Sequence, residues 1–190
     1  MTPYDFVHLV LFASDGSIEG RTKLQKVVYF AGVLTKQIDH LGYRAHFYGP
    51  FSPLVAGAIE ELRGLKFLEQ RTVSSSMADQ NGFEKIRYDY VLTEDGRVVA
   101  EEKSRQFPKE WEQIKLAVER LKTANITDYV RLAIAAKTYL LTQQVGRDLP
   151  SDELRAKAAE HGWTAFNDEQ YTEAMTFLLN VVGTSPLASK

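Results

Sequence analysis

Arg21, Lys23 and Lys26 open a helical pattern in which they are not needed for packing. Cations at a helix N-terminus oppose the macrodipole, at roughly a few tenths of a kcal/mol each, so stability does not explain them. With the free amides of the first turn they would complement an anion, either a phosphate or a partner's carboxylates. The competing reading pairs them with Glu19 or Glu60. Further on, Arg44, His46 and Tyr48 alternate along one face of a short strand, and Phe51 follows closely. Arg71, Lys85 and Arg87 fall on a later hairpin. Together with Arg21, Lys23 and Lys26, these three suit a phosphate backbone. They suit an ordinary solvated surface equally well. These ten residues are the candidate partner or phosphate contacts.

Other chemistry is absent from the sequence. No phosphate-binding G-x-x-x-x-G-K-[ST], no G-x-S-x-G and no H-E-x-x-H occurs. His8, His40, His46 and His161 share no metal-ligand spacing, and His8 reads as a core histidine. Glu60-Glu61 and Glu101-Glu102 read as solvated helix faces. The chain has no cysteine, which excludes a disulfide, a zinc finger and a thiol nucleophile. The expectation is a protein that is not an enzyme and holds no metal or cofactor.

Composition sets the wider bounds. The 190 residues suffice for one domain, or for a small domain with an appendage of similar size. With 44% apolar and 25% charged residues, the chain reads as globular rather than disordered. Lys and Arg number 23 against 25 Asp and Glu, unlike a strongly basic nucleic-acid binder. Phe6 to Ala13 is short for a signal-peptide core, His8 interrupts it, and no cation precedes it. No stretch approaches the roughly 18 apolar residues of a membrane span. A cytoplasmic location and no membrane partner are expected. Asn125-Ile126-Thr127 matches a glycosylation sequon, but Thr127 has a plainer use as a helix cap.

The elements that must position these residues follow from caps and periodicity. Thr2, Pro3 and Asp5 start a buried first helix. Leu24, Val27, Val28, Ala31, Leu34 and Ile38 make the stripe of a second. Tyr43 to Tyr48 alternates as a strand, with Tyr43, Ala45 and Phe47 on the face opposite Arg44, His46 and Tyr48, and Gly49-Pro50 turns the chain. Ser52 caps a third helix striped by Leu54, Val55, Ala58, Ile59 and Leu62. Strands over 67–73 and 84–92 flank a polar loop from Ser74 to Gly82, read as mobile. Thr93 caps a fourth helix. Helices over 108–123, after Thr127, over 151–161 and after Asn167 complete the chain, the last with Gln170 placed for a capping box.

Helix, helix, strand, helix and a two-stranded wing is the winged-helix order. Tyr90-Val91-Leu92-Thr93-Glu94-Asp95-Gly96 resembles the Y-x-L-T-x-x-G of winged-helix regulators, and Glu61 to Glu69 resembles the usual exit from a third helix into a wing. A closer resemblance rests on Gly20-Arg21-Thr22-Lys23-Leu24-Gln25-Lys26-Val27-Val28-Tyr29-Phe30 paired with Tyr48-Gly49-Pro50-Phe51-Ser52. Over about the first 100 residues the chain resembles the YwgA-like family, and is similar to the broader Panacea group of antitoxins with its SocA-type proteolytic adaptor. The resemblance implies a prokaryotic protein linked to regulation, toxin neutralisation or defence, and it carries over no catalytic residue.

The expected architecture is mainly α with a small β-hairpin: a winged helix-turn-helix domain over 1–104, then a helical C-terminal extension over 105–190 packed on it. The expected function is a non-enzymatic regulatory or antitoxin-type module that binds another protein (a toxin, a protease or a defence component) or itself as a homodimer. A DNA-binding transcriptional regulator is the alternative. The third helix argues against it, because its face carries Pro53, Ala56, Gly57, Glu60 and Glu61, whereas base reading needs Arg, Lys, Asn or Gln. That small face is expected to be covered by another helix, either from the C-terminal half or from a partner.

Overall fold

The computed structural model describes residues 1–74, 86–124, 129–163 and 166–183. The chain is mainly helical with small antiparallel sheets. It runs α1 (Pro3–Ala13), β1 (Ser17–Glu19), α2 (Arg21–Leu34), a 3₁₀ turn (Ile38–Leu41), β2 (Arg44–His46), β3 (Gly49–Phe51) and α3 (Pro53–Gly64). Then follow β4 (Leu68–Ser74), β5 (Ile86–Leu92), α4 (Glu94–Gln106), α5 (Pro108–Thr123), α6 (Tyr129–Val145), α7 (Ser151–Glu160) and α8 (Asp168–Val182). No described helix is long and apolar enough to cross a membrane.

The caps read from sequence are in place. Thr2 and Asp5 form a reciprocal capping box on α1, and Asn167 and Gln170 form one on α8. Ser52 accepts from the Val55 amide and Thr93 from the Gly96 amide. Thr127 and the sequon lie outside the described residues, as does the loop through Gly82 with Lys85.

Two small sheets differ from the sequence expectation. β1 is an added strand, because Ser17, Ile18 and Glu19 pair with Val91, Tyr90 and Asp89 of β5. The sheet order is β1-β5-β4, all antiparallel. A three-residue strand has no periodicity to read, and its partner lies far away in sequence. Gly49-Pro50 does not turn the chain. The turn falls at Phe47-Tyr48, and Gly49, Pro50 and Phe51 return as β3 against His46, Ala45 and Arg44. Phe47 therefore stands on the tip of a hairpin and is 63% exposed, rather than sharing a buried face with Ala45.

The hydrophobic core is continuous. α1 is buried from Phe6 to Leu11 and packs against α3, α4 and α5. α2 packs against both α5 and α6, and α6 against α8. Phe30 of α2 meets Phe177 of α8 with ring centroids 5.4 Å apart, and Tyr29 lies 6.2 Å from Tyr139 of α6. His8 reads correctly as a core residue. It is fully buried, and its Nε2 lies 2.8 Å from the Gly96 carbonyl. Burial foremost, with the Lys103 charge, pulls its pKa down to about 4, so the ring is neutral and Nε2 carries the donated proton.

Among the described residues, none covers the small face of α3 at Gly57. The stripe Val55, Ala58, Ile59 and Leu62 packs inward, but Leu54, which the stripe had included, is exposed, and so is Gly57. A Cβ on Gly57 would meet no atom within 4 Å. The C-terminal helices dock on α2 instead, because α2 is apolar on more than one side.

Candidate functional site

The two motifs of the sequence resemblance are the two sides of one contact. Gln25 of α2 donates from Nε2 to the Ser52 carbonyl at 3.2 Å and accepts from the Ser52 amide at 3.1 Å. The Tyr43 hydroxyl donates to the Gln25 carbonyl at 2.7 Å. One residue on, the Lys26 ammonium donates to the Pro50 carbonyl at 2.5 Å. Pro50 and Ser52 sit on β3 and at the α3 cap, so α2 grips the hairpin through backbone groups. A backbone grip fixes the hairpin's position whatever side chains its tip carries.

Lys26 is not the surface cation that its position off the apolar stripe implies. It is 2% exposed. Beside it lies Lys137 of α6, 8% exposed. Gly49 lies against both stems: a Cβ there would sit 2.9 Å from Lys137 Cγ and 3.6 Å from Lys26 Cε. No carboxylate pairs with either lysine among the described residues. Burial first, then the Lys137 charge, draws the Lys26 pKa down to about 7. Burial lowers that of Lys137 as well. The Lys137 Nζ lies 5.3 Å from the Trp163 ring centroid. Trp163 donates its indole N–H to the His46 carbonyl at 2.7 Å, which ties the segment after α7 to the outer strand of the hairpin.

Above this buried floor, Arg44, His46, Phe47 and Tyr48 are exposed. The His46 ring lies 4.9 Å from that of half-buried Phe51, and the Phe47 and Tyr48 rings are 5.0 Å apart, edge to face. The hairpin thus gathers Arg44, His46, Tyr48 and Phe51, with Lys26 beneath.

The other candidates do not join them. Arg21 lies against the sheet, its guanidinium carbon 5.0 Å from the Tyr88 ring centroid. Lys23 lines a separate cleft of about 310 Å³ with Asp15, Glu19 and Lys122. So the three cations of α2 diverge to three surroundings. Neither carboxylate named as their partner pairs with them: Glu19 meets Arg87 at 3.8 Å, and Glu60 pairs with Arg63. Arg71 pairs with Glu69, and Arg87 also with Asp89, each at 2.9 Å. Lys85 lies outside the described residues.

Sequence reasoning missed Lys137, Trp163 and Phe47. A signal existed for Lys137, the one charge between Leu132 and Leu141. For Trp163 there was none, because its partner is a backbone carbonyl 117 positions away.

No described group of His, Asp or Glu is placed to hold a metal. No protein-family model matches the chain. Over 86 residues, covering 45% of this chain and about half the length of the relative (47%), the sequence is 37% identical to the uncharacterized protein YwgA of Bacillus subtilis (strain 168).

Proposed function

We propose that the chain is a non-enzymatic regulatory module that binds another protein through the β2–β3 hairpin, on a winged-helix scaffold formed by its N-terminal part. The β1-β5-β4 order, with β1 between α1 and α2 and the β4–β5 pair after α3, supports the winged-helix reading. The observation that carries the function is the hairpin tip. Phe47 and Tyr48, 63% and 40% exposed, stand on a backbone held from beneath by Lys26 and from the side by Trp163. Rigid, exposed aromatics flanked by Arg44 suit an interface anchor, because little entropy is lost when they bind. An antitoxin or adaptor role, which the resemblance to the Panacea group implies, is one such use.

The uncovered face of α3 favours a second reading, DNA binding. Its residues weigh against it: Gly57 and Ala56 read no base, and Glu60 and Glu61 repel phosphates. Arg71 and Arg87, on the would-be wing, already face carboxylates.

The test compares wild type with the Phe47→Ala/Tyr48→Ala variant, both shown to be folded by thermal melt. Each is assayed for a stoichiometric protein partner by co-purification from its native host, and for the DNA upstream of its own gene by gel shift. A protein partner lost in the variant supports the proposal. A wild type that shifts its upstream DNA and co-purifies no protein replaces it with the DNA reading.

A further inference from the structure

We propose that Lys137 and Lys26 form a binding site for a phosphate-type oxyanion, at the seam between the β2–β3 hairpin, α6 and the Trp163 segment. The inference goes beyond the protein-binding reading and does not depend on it.

Two lysines are buried side by side, and neither has a carboxylate among the described residues. Each buried ammonium carries a desolvation cost that an apolar residue of similar length would avoid. Packing alone therefore does not account for them. Lys26 uses one of its three N–H donors on the Pro50 carbonyl, and Lys137 makes no hydrogen bond among the described residues. The remaining donors and two adjacent charges match a doubly charged anion with several acceptor oxygens. A single carboxylate would answer only one of the two charges. The surroundings hold the pair in place. Gly49 has no side chain to part the two stems, and a Cβ there would press on Lys137. The Trp163 ring, fixed through its indole N–H, backs the Lys137 ammonium. Lys137 keeps the greater exposure of the two, so a ligand would arrive at Lys137 with Lys26 behind it. The depressed pKa of Lys26 fits a pair lacking its counter-ion.

The experiment is a thermal melt at pH 7.0, close to both the Lys26 pKa and the second pKa of inorganic phosphate, so that protonated Lys26 and the phosphate dianion are both present, with inorganic phosphate titrated against sodium chloride of equal ionic strength. Wild type is expected to gain about 3 °C or more over the chloride control once phosphate exceeds its Kd about tenfold. Lys137→Met is expected to lose that gain, while Lys23→Met keeps it. A phosphomonoester arm, glycerol phosphate at equal dianion concentration, distinguishes a free ion from an ester: a larger shift with the ester assigns the site to a phosphorylated ligand. As a second measurement on unaltered protein, phosphate is expected to slow acetylation of Lys137 relative to Lys23, read by mass spectrometry. No gain over chloride in wild type, an equal gain in Lys137→Met, or no protection of Lys137 would overturn the proposal.

Discussion

Among single residues, Lys26 and His8 set the pH response. Folded Lys26 binds its proton with a pKa of about 7, against an ordinary 10.5. Between those values the unfolded chain holds more protons than the folded one, so stability rises with pH, by up to about 1 kcal/mol per pH unit. Lys137, the charge that faces Lys26 from α6, shifts in the same direction and adds to the slope. His8, lowered to about 4 from 6.5, makes stability rise with pH in the acid range as well. Tyr29 and Tyr43 are held above their ordinary 10.0 by burial, so the folded state keeps their protons longer and the gain reverses above about pH 10. In phosphate-free buffer the melting temperature should climb from pH 4 to a maximum near pH 9–10, and then fall. Lys26→Met should flatten the limb above neutrality and leave the acid limb intact. A wild-type curve flat from pH 7 to 10 would mean that Lys26 is solvated. The burial of His8 was legible in the sequence; that of Lys26 was not. A lysine beside an apolar stripe usually reaches solvent along its stem, and only the return of β3 over α2 closes that route.

Among elements, glycines test the packing. Gly57 and Gly96 are both helical, and alanine has the higher helix propensity by about 1 kcal/mol. At Gly57 nothing opposes that gain, so Gly57→Ala should stabilise by about 0.5–1 kcal/mol. At Gly96 a Cβ would lie 2.1 Å from the Phe67 carbonyl oxygen. That carbonyl cannot retreat freely, because it accepts from the Thr93 amide at 3.0 Å, and the Gly96 carbonyl is engaged by His8. Gly96→Ala should therefore destabilise by about 1–3 kcal/mol. Chemical denaturation of the two variants checks the opposite signs. The glycine of the T-x-x-G signature thus has a physical reason, the close approach of the strand-entry carbonyl to α4. The caps at Thr2, Ser52, Thr93 and Asn167 were legible because capping is local chemistry. β1 and the β3 return strand were not, since three-residue strands are defined by their partners. The source of a cover for α3 was not legible either, because small residues signal close packing without saying whether the neighbour belongs to the chain or to a partner.

At the scale of the whole molecule, the central question is whether α6, α7 and α8 unfold together with the part of the chain that precedes them. An aromatic cluster crosses that boundary: Tyr29 and Phe30 on α2, Tyr43, Tyr139 on α6 and Phe177 on α8, with neighbouring centroids 5.0 to 6.4 Å apart. Phe30 is fully buried, and part of its cover comes from α8. Removing that cover would expose apolar surface that the N-terminal part cannot bury alone, so the chain should melt as one cooperative unit. The two tryptophans allow a direct reading. Trp111 of α5 stacks on Phe12 of α1 at 5.3 Å, whereas Trp163 binds the hairpin from the segment after α7. Trp163→Phe leaves a reporter for the N-terminal side, and Trp111→Phe leaves one for the C-terminal side. Fluorescence melts of each variant should coincide with its own circular-dichroism melt. Phe177→Ala, at a cost of about 3–5 kcal/mol, should lower the transition seen by Trp111 as far as that seen by Trp163. If Phe177→Ala moved the Trp163 signal alone, the two parts would be separate folding units, and α6–α8 would be an appendage rather than half of the core.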